Sequence, residues 1–495
     1  MSTPKPLENY TSYRGLPPLV GLCTVEEAAR PGLSVEECVR RLKRFHYAFK
    51  RLHQILTARI TSEPIYELKT AFAHHAYLCA EHATALRTRI AEMREPPLGL
   101  EEVPHPALEA YFDEILCTPT TEELLYGLRA AFGDLLDTIR AYRDKTNPLT
   151  DAPSRRLLRF AEFEVQDMWE WGDLCWKLLV TEKVPVLERC VEWGHKLHKL
   201  FQLAGRTDGM DGFFDETVPN TTRECDELLG HQELPRCYSR TPYQYDPVPK
   251  RDERFTDPWN QGVNAESFLY SEAYPARAKA LMMLFKRLRE IDVPEMMASI
   301  ITQTPGKPWG YYRDMSRQLW DEARHAMMGE VGFVALGVDW TKARITFNWS
   351  YRLNTECTPM ERHGVLYFIE QGLMPKTGKR FEFEVGQRSG LPLIATIQDF
   401  DWADEVLHSQ IGRQWYVPEF GSLPKALKYG DAAWSKVLSN WTTVRDSGLT
   451  EHANWWPAVY SQACAAEGMA PDPAVLAFAE TYEAKRADLQ RVAAE

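Results

Sequence analysis

The sequence predicts an all-α protein, and three observations lead to this prediction. Apolar residues recur at three- and four-residue intervals over most of the 495 residues. Turns that contain proline and glycine, such as REPPLGL and NPLTDAPS, separate these periodic stretches. Convincing alternation of apolar and polar residues is missing, apart from the short RFEFEV at 380–385. We therefore expect helices to form the core.

The first helices are expected within residues 34–205. Ser34 is followed three residues later by Glu37, a capping-box signal in front of a long amphipathic run. Further helices are expected around 68–93, 121–144, 154–179 and 185–203. The stretch 205–262 is rich in Gly, Pro, Asp and Asn but also carries many aromatic residues, so we expect a long ordered loop or an interdomain linker.

Helical periodicity returns at Asn264 and continues toward the end of the chain. Prolines and glycines divide it into four main helices at about 264–292, 308–337, 341–374 and 391–416, followed by a last helical portion at 424–490. The expected organisation is an N-terminal helical domain (1–205), a linker or loop (206–262), a domain built on the four main helices (263–420) and a C-terminal helical extension (421–495).

The composition argues against several classes of function. Acidic residues outnumber basic ones by 70 to 58, which disfavours binding to a nucleic-acid backbone because that affinity depends on clustered Lys and Arg. An apolar run of 18 residues and the pattern of a signal peptide are both missing, so we expect neither membrane spanning nor secretion. The ten cysteines are scattered without a C-x-x-C pair, which indicates reduced thiols and a cytoplasmic location.

One motif occurs twice, once in each of two predicted helices. Residues 321–325 and 404–408 both fit D-E-x-x-H. Residues three apart on a helix share a face, so the Glu and His of each motif project toward one point. Helical bundles that hold two iron or manganese ions use Glu-x-x-His on two helices and single carboxylates on the other two. Carboxylate and imidazole ligands suit these metals, whereas clustered Cys would indicate structural zinc or an iron–sulfur centre.

The aspartates of the two motifs have an expected role of their own. Metal-bound histidine usually donates its second ring N–H to a carboxylate, which fixes the tautomer and raises the basicity of the ligand. Asp321 and Asp404 could each accept that N–H from the histidine of the opposite helix. The alternative interpretation is a pair of amphipathic helices with solvated charges.

The two motifs also carry a resemblance to a known family. DEARHAMMGE resembles the D-E-x-R-H helix of ferritin-like di-iron carboxylate proteins, which include ribonucleotide reductase small subunits, bacterial multicomponent monooxygenases and rubrerythrins. DEVLHSQIGRQWY, with the upstream Thr358-Pro359, is similar to the fourth helix of the tRNA-hydroxylase-like and uncharacterised ferritin-like branch. The resemblance covers about residues 263–418 and implies a ferritin-like four-helix bundle.

The resemblance assigns roles to the glutamates and histidines of the motifs. It implies that Glu322 and Glu405 are bridging or chelating carboxylates at the catalytic centre. His325 and His408 would be the terminal nitrogen ligands. The family also takes one carboxylate from each of the other two helices.

Several glutamates are candidates for these two lone carboxylates. Glu272 on the first helix and Glu361 on the third are preferred, although the sequence around Glu361 also fits a capping box. The family spacing to the Glu-x-x-His partner is roughly 30–35 residues, whereas Glu272 and Glu361 lie 50 and 44 residues before theirs. Insertions at EMMASIITQTPGKP and KTGKRFEFEVGQRSG could absorb the excess. Otherwise Glu290 and Glu370, at 32 and 35 residues, are better choices, although basic neighbours of Glu290 indicate solvent; Glu356 is a further candidate.

The resemblance implies a non-haem di-iron oxygenase or oxidase. Such an enzyme activates O₂ as co-substrate and oxidises a small or medium-sized organic substrate. The expected cofactors are two iron ions, with manganese or a mixed pair as alternatives, and the expected partners are a reductase or ferredoxin as electron donor and a second copy of the chain in a homodimer. Iron storage or peroxide detoxification, and a non-catalytic helical scaffold, are the competing hypotheses.

The N-terminal domain also offers histidines and carboxylates on predicted helices. They are His74, His75, Glu81 and His82 on one helix and the acidic residues of 160–173 on another. One hypothesis is that this domain is the remains of a second ferritin-like unit. The other is a helical domain that shapes a substrate pocket or a dimer interface.

Overall fold

The computed structural model describes residues 7, 10–181, 183–210, 234–260, 262–375, 378–439 and 447–481. Helices dominate these ranges, and no β-strand occurs within them, so the predicted all-α class is confirmed. The RFEFEV segment lies in a helix rather than a strand. Parts of the predicted linker (211–233) and of the last predicted helical portion (440–446 and 482–490) lie outside the described residues.

The α-helices are numbered here in chain order. The N-terminal half contains α1 (Val25–Ala28), α2 (Val35–Arg59), α3 (Tyr66–Met93), α4 (Pro106–Leu116), α5 (Thr121–Lys145), α6 (Ala152–Val180) and α7 (Val184–Leu203). The C-terminal half contains α8 (Ala265–Tyr270), α9 (Ala276–Arg289), α10 (Asp292–Thr302), α11 (Trp309–Ala335), α12 (Asn348–Glu356), α13 (Pro359–Gly372), α14 (Lys379–Arg388), α15 (Pro392–Trp415), α16 (Leu423–Ser439), α17 (Trp456–Ala466) and α18 (Pro473–Leu476).

Helix α5 shows why the N-terminal helices begin and end where the sequence predicts. The Thr120 side chain accepts the backbone N–H of Glu123 and so satisfies one of the free donors of the first turn. The first turn also carries Glu122, and the last turn carries Arg143 and Lys145. These charges complement the helix dipole at both ends.

The chain divides into two compact units, each made of two separate stretches of sequence. The first unit comprises residues 1–55 and 78–244, and the second comprises 56–77 and 245–495. The sequence analysis instead placed its boundaries at 205, 262 and 420. The second unit contains both D-E-x-x-H motifs and is therefore the one that carries the candidate site.

The helices of the second unit that carry the candidate ligands pack in a closed circuit. Helix α9 packs against α11, α11 against α15, α15 against α13, and α13 against α10. Only Glu290 and Ile291 separate α9 from α10. Glycines allow α11 to approach α9 closely, because a Cβ at Gly329 would lie 2.7 Å from the carbonyl oxygen of Leu284 and one at Gly332 would meet the side chain of that leucine.

The apolar core of the second unit lies beside this circuit. Phe285 and Leu288 of α9 and Phe333 of α11 are buried in it, together with Trp455 and Trp456. The rings of Phe285 and Trp455 are 4.4 Å apart between centroids. Full burial of a large apolar side chain contributes about 1.5–3 kcal/mol, so this core holds α9 and α11 in place.

A buried group of ion pairs, called here the Glu295 cluster, comprises Lys69, Arg251, Asp292 and Glu295. Glu295 pairs with Lys69 and accepts hydrogen bonds from Arg251 at 2.9 and 3.1 Å. Arg251 also lies 3.4 Å from Asp292, and the hydroxyl of Ser350 donates to Glu295 at 2.9 Å. Two cations thus face two carboxylates, and they tie residues 56–77 and 245–255 to the first turn of α10.

The hydropathy of the helices and the state of the cysteines bear on the sequence predictions. None of the helices in the described ranges has the length and apolar character that crossing a bilayer requires. The nine cysteines within those ranges are free thiols, while Cys225 lies outside them.

Candidate metal centre

Both D-E-x-x-H motifs are buried in the second unit. Residues 321–325 lie on α11 and residues 404–408 on α15, and these two helices pack against each other. Glu322 and Glu405 are each 2 % exposed and His408 is 1 % exposed. Charged side chains are rarely buried to this extent unless they are paired or bind a ligand. The alternative of solvated charges on two amphipathic helices therefore does not describe these positions.

The histidine of each motif contacts the aspartate of the other. His325 Nε2 lies 3.1 Å from Asp404 Oδ2, and His408 Nε2 lies 3.4 Å from Asp321 Oδ2. Arg324 joins the two aspartates by donating to Asp404 at 2.8 Å and to Asp321 at 2.5 Å. A carboxylate accepts, so each Nε2 carries a proton, and in the neutral ring each Nδ1 would be the nitrogen left to bind a ligand. This is the crossed arrangement described above from the sequence.

The two Nδ1 atoms point into two groups of carboxylates. The Glu290 cluster consists of Glu290, His325, Asp401 and Glu405. The Glu370 cluster consists of Glu322, Glu370, Glu405 and His408. Within each cluster the facing oxygen and nitrogen atoms all lie within 4.8 Å of one another. Glu405 belongs to both clusters and so connects them.

Individual distances show how the imidazoles face the carboxylates. His325 Nδ1 lies 3.3 Å from Glu290 Oε2 and 3.6 Å from Asp401 Oδ1. His408 Nδ1 lies 3.2 Å from Glu322 Oε1. Two of these three separations exceed the usual N–H···O hydrogen-bond range of about 2.7–3.2 Å, and the third lies at its upper limit. They leave room for an ion that contacts several of these atoms at once.

The structure does not bring Glu272 or Glu361 to the centre. A turn that precedes Pro275 interrupts the predicted helix 264–292, and Glu272 lies exposed in that turn. Cys357 and Thr358 interrupt the predicted helix 341–374, so Glu361 falls in the first turn of α13. There it forms a capping box with Thr358 and pairs with Lys436 at 3.3 Å.

The other three candidates for a lone carboxylate have different positions. Glu356 ends α12 and pairs with Arg352 at 3.0 Å, away from the clusters. Glu290 is the C-cap residue of α9 and Glu370 lies in the last turn of α13, and each contributes to one cluster. Glu290 and Glu370 therefore take the place of Glu272 and Glu361 in the candidate centre.

Two residues of the centre were missed in the sequence analysis. Asp401 lies one turn before Glu405 on α15, where the i, i+4 spacing was the available signal. Lys379 is the first residue of α14, in the stretch that the sequence analysis treated as an insertion. Its Nζ lies 2.8 Å from Glu405 Oε1 and 2.9 Å from Asp401 Oδ1. A lone lysine in an insertion carries no sequence signal for such a position.

Buried atoms without hydrogen bonds test whether the residues fit a metal. They are Glu290 Oε2, Glu322 Oε1, Glu370 Oε2, Glu405 Oε2, His325 Nδ1 and His408 Nδ1. Leaving one such atom unsatisfied costs about 1–3 kcal/mol, and more when the group is charged. All six are oxygen or nitrogen donors of the type that iron and manganese bind. The donor set therefore fits a centre with two metal ions.

The carboxylates shift the pKa values of both histidines upward. Burial alone would lower the pKa of His325, but Asp404 and Glu290 raise it to about 10. Asp321 and the neighbouring glutamates likewise raise the pKa of His408 well above its usual value, against the effect of burial. The centre therefore attracts positive charge, whether that charge is a proton or a metal cation.

The two lone carboxylates have opposite pKa shifts. Burial raises the pKa of Glu370 well above its usual range, and the charge of Glu405 adds to the rise. Burial also acts to raise the pKa of Glu290, but Arg287 and Lys379 together outweigh it and lower the value to about 2. Arg287 and Lys379 thus compensate Glu290, whereas Glu370 has no Lys or Arg in contact among the described residues.

A cavity of about 330 Å³ reaches the carboxylates of both clusters. Its apolar walls are formed by Val293, Met296, Trp349, Leu353, Ile369, Leu373 and Trp434. The rings of Trp349 and Trp434 lie 4.0 Å apart between centroids. Cavities of this size and character are typical of binding sites for small organic molecules.

The histidines of the N-terminal half form no comparable cluster within the described part of the chain. His82 pairs with Glu164 at 2.6 Å, and the ring of His74 stacks on Trp320 at 4.3 Å. Burial lowers the pKa of His75 to about 3, so that side chain is a neutral core residue. The hypothesis of a second ferritin-like unit gains no metal site from these residues.

No protein-family model, no curated protein and no solved structure matches this chain. The side chains of the two clusters and the cavity beside them are therefore the features that bear on function.

Proposed function

We propose that the second unit is a ferritin-like four-helix bundle that binds two iron ions and uses O₂ to oxidise a small or medium-sized organic substrate. The observation that carries the proposal is the pair of buried clusters that share Glu405 and that leave six oxygen and nitrogen atoms without hydrogen bonds. When bound, two irons supply the electron-transfer chemistry of O₂ reduction, with further electrons from a reductase or ferredoxin; manganese or a mixed pair suits the same ligands.

The residues of the chain bind and orient the ions. His325 and His408 each offer Nδ1, while their Nε2–H groups are held by Asp404 and Asp321. This second contact fixes the tautomer and the ring orientation, which supports metal affinity. Glu405 can contact both ions because it belongs to both clusters. In this proposal Glu322 and Glu405 are the bridging or chelating carboxylates.

The cavity favours an enzyme over an iron store. Its apolar walls, including Trp349 and Trp434, suit an organic molecule better than hydrated iron ions. The clusters also count against a non-catalytic scaffold, because they bury five carboxylates close together and such burial is costly unless the carboxylates bind a ligand. We therefore prefer the oxygenase or oxidase to both alternatives.

The first experiment measures iron, manganese and zinc per chain in the purified protein. It then records the optical spectrum as the anaerobic Fe(II) protein is mixed with O₂. We expect about two irons per chain and an O₂-dependent absorption change. Glu384→Ala, which alters an exposed glutamate of α14 paired with Arg380, is the matched control and should behave like the wild type.

Other results would redirect the assignment. Zinc alone, or no metal after loading with Fe(II), would contradict the proposal and favour the scaffold. Shell-sized particles in gel filtration that accumulate many irons per chain would favour storage.

A further inference from the structure

A buried lysine lies against the Glu290 cluster. The side chain of Lys379 is fully buried, and its Nζ lies 2.8 Å from Glu405 Oε1 and 2.9 and 3.0 Å from the two oxygens of Asp401. The same Nζ lies 3.7 Å from Glu290 Oε1. The ammonium group thus contacts all three carboxylates of that cluster, and these carboxylates would also contact a metal ion.

A second buried cation contacts the same cluster. Arg287 is fully buried, lies 2.9 Å from Glu290 Oε1 and also pairs with Asp401. Glu382 of α14 lies 3.6 Å from Arg287 and pairs with Lys286, so this side of the centre is rich in fixed charges. Because α14 packs against both α9 and α15, Lys379 and Glu382 are held there by the fold.

The Glu370 cluster lacks this compensation. Among the ion pairs of the described residues, none joins a Lys or Arg to Glu322 or Glu370. Gln318, which is neutral, donates a 3.1 Å hydrogen bond to Glu370. Each cluster has three carboxylates. The Glu290 cluster contacts both Lys379 and Arg287, whereas the Glu370 cluster contacts Lys379 through Glu405 alone among the described residues.

We propose that Lys379 makes the two halves of the centre unequal, so that the Glu370 cluster binds its divalent ion first and the Glu290 cluster binds the second ion more weakly. The inference rests on the proposed di-metal function. A cation that enters the Glu290 cluster is repelled by Lys379 and Arg287 and competes with Lys379 for the oxygens of Asp401 and Glu405. At these separations charge repulsion changes affinity by about tenfold or more even after screening.

The test is an anaerobic titration of the metal-free full-length protein with Co²⁺, followed by absorption and by equilibrium dialysis with metal analysis. We expect two binding steps in the wild type, with dissociation constants at least about tenfold apart. Lys379→Met keeps the length of the side chain without its charge and should tighten the second step until the two constants differ by less than about threefold.

Further variants guard against trivial explanations. Lys379→Gln keeps a hydrogen-bond donor and should close the gap in the same way, whereas Lys379→Arg keeps the charge and should preserve it. Lys279→Met is the matched control, because Lys279 is also a buried lysine of α9 but lies over the ring of Phe381 and does not contact the clusters. We expect it to preserve the gap.

The order of binding is assigned with two substitutions. Glu370→Gln should remove the tight step, and Glu290→Gln should remove the weak one. Equal steps in the wild type, an unchanged gap in both neutral variants of Lys379, or the reverse assignment would each overturn the inference while leaving the di-metal function intact. A wild-type protein that binds no Co²⁺ would instead contradict the proposed function itself.

Discussion

Two groups of buried charges in the second unit differ in where their positive charge comes from. In the Glu295 cluster, Lys69 and Arg251 face the two carboxylates directly, and Glu295 also accepts a hydrogen bond from Ser350. In the Glu370 cluster, three carboxylates and one imidazole meet with no Lys or Arg against Glu322 or Glu370 in the described structure. The first group resembles an ordinary buried ion pair, whereas Glu322 and Glu370 of the second face His408 and can take up a further proton or a metal cation.

This comparison distinguishes buried charges that stabilise the fold from buried charges that bind a ligand. Buried ion pairs are tolerated when each group has a partner and its hydrogen bonds are satisfied. Buried carboxylates without partners are costly, and a protein that keeps several of them together usually uses them. By this criterion the Glu295 cluster holds the fold together, whereas the Glu370 cluster is the stronger candidate for a binding site.

The largest expected effect comes from the residue that both clusters share. Glu405→Ala removes a ligand from each cluster, so we expect iron content to fall from about two per chain to nearly none and O₂ consumption to be lost. Metal analysis and an oxygen electrode measure these changes. Glu384→Ala should leave both unchanged, and full iron occupancy in Glu405→Ala would show that Glu405 is no ligand.

The second comparison uses one glutamine substitution in each type of cluster. Glu295→Gln leaves Lys69 and Arg251 poorly compensated and should lower the free energy of unfolding of the metal-free protein by about 3–5 kcal/mol. Glu370→Gln should change it by less than about 1 kcal/mol, because in the described structure Glu370 has no Lys or Arg partner to lose and the neutral amide can still accept the hydrogen bond from Gln318. Urea unfolding measures both. Equal losses would remove the distinction between the two clusters.

A smaller effect is expected at the aspartates that hold the histidines. Asp404→Asn should keep both irons but lower the rate of O₂ consumption by about tenfold, because it weakens the hold on the His325 ring. Asp321→Asn should act in the same direction with a smaller effect, since its contact with His408 is longer. Asp399→Asn, an exposed change on the same helix, is the control. Wild-type rates in Asp404→Asn would show that this contact is not functional.

A buried carboxylate can also be compensated by binding a proton. Asp134 provides a test of this, and the expected change in stability is the smallest of those described here. In the first unit, burial raises the pKa of Asp134 to about 7, although a 3.0 Å hydrogen bond from the Tyr111 hydroxyl opposes the rise. Between the unfolded pKa near 4 and about 7 the folded state holds a proton that the unfolded state has lost, so stability falls as the pH rises through this window.

Asp134→Asn should therefore raise the free energy of unfolding at pH 8 by about 1–2 kcal/mol and leave it unchanged at pH 4. Denaturant unfolding at the two pH values measures the difference. Asp144→Asn, a change at an exposed aspartate of the same helix, is the control and should change stability equally at the two pH values. A gain of equal size at pH 4 would mean that the substitution acts through packing instead.

The sequence predicted the all-helical fold and the pairing of two D-E-x-x-H helices because both depend on local periodicity. Each aspartate was also expected to contact the histidine of the opposite helix, from the usual second contact of metal-bound histidine, and the two distances agree with this. The two lone carboxylates could not be chosen correctly from the sequence. Breaks before Pro275 and Pro359 moved Glu272 and Glu361 away from the faces that continuous helices would have given them.

Glu290 illustrates the remaining difficulty. Its basic neighbours Lys286 and Arg287 indicated a solvated face, yet both are buried, because they pair with Glu382 and Asp401 from α14 and α15. These partners lie about 100 residues further along the chain. Local pattern cannot distinguish a cation in water from one that faces a distant buried carboxylate, so the helix end that carries Glu290 was misjudged.

The discontinuity of the second unit has a consequence for synthesis on the ribosome. Lys69 precedes its partner Glu295 by 226 residues, and at roughly 5–20 residues per second the ribosome needs about 10–45 s to make that length of chain. During this time residues 56–77 lack every partner that they have in 245–495. A fragment that ends near 244 would leave this segment uncovered, and a useful fragment of the second unit must have residues 56–77 joined back to it.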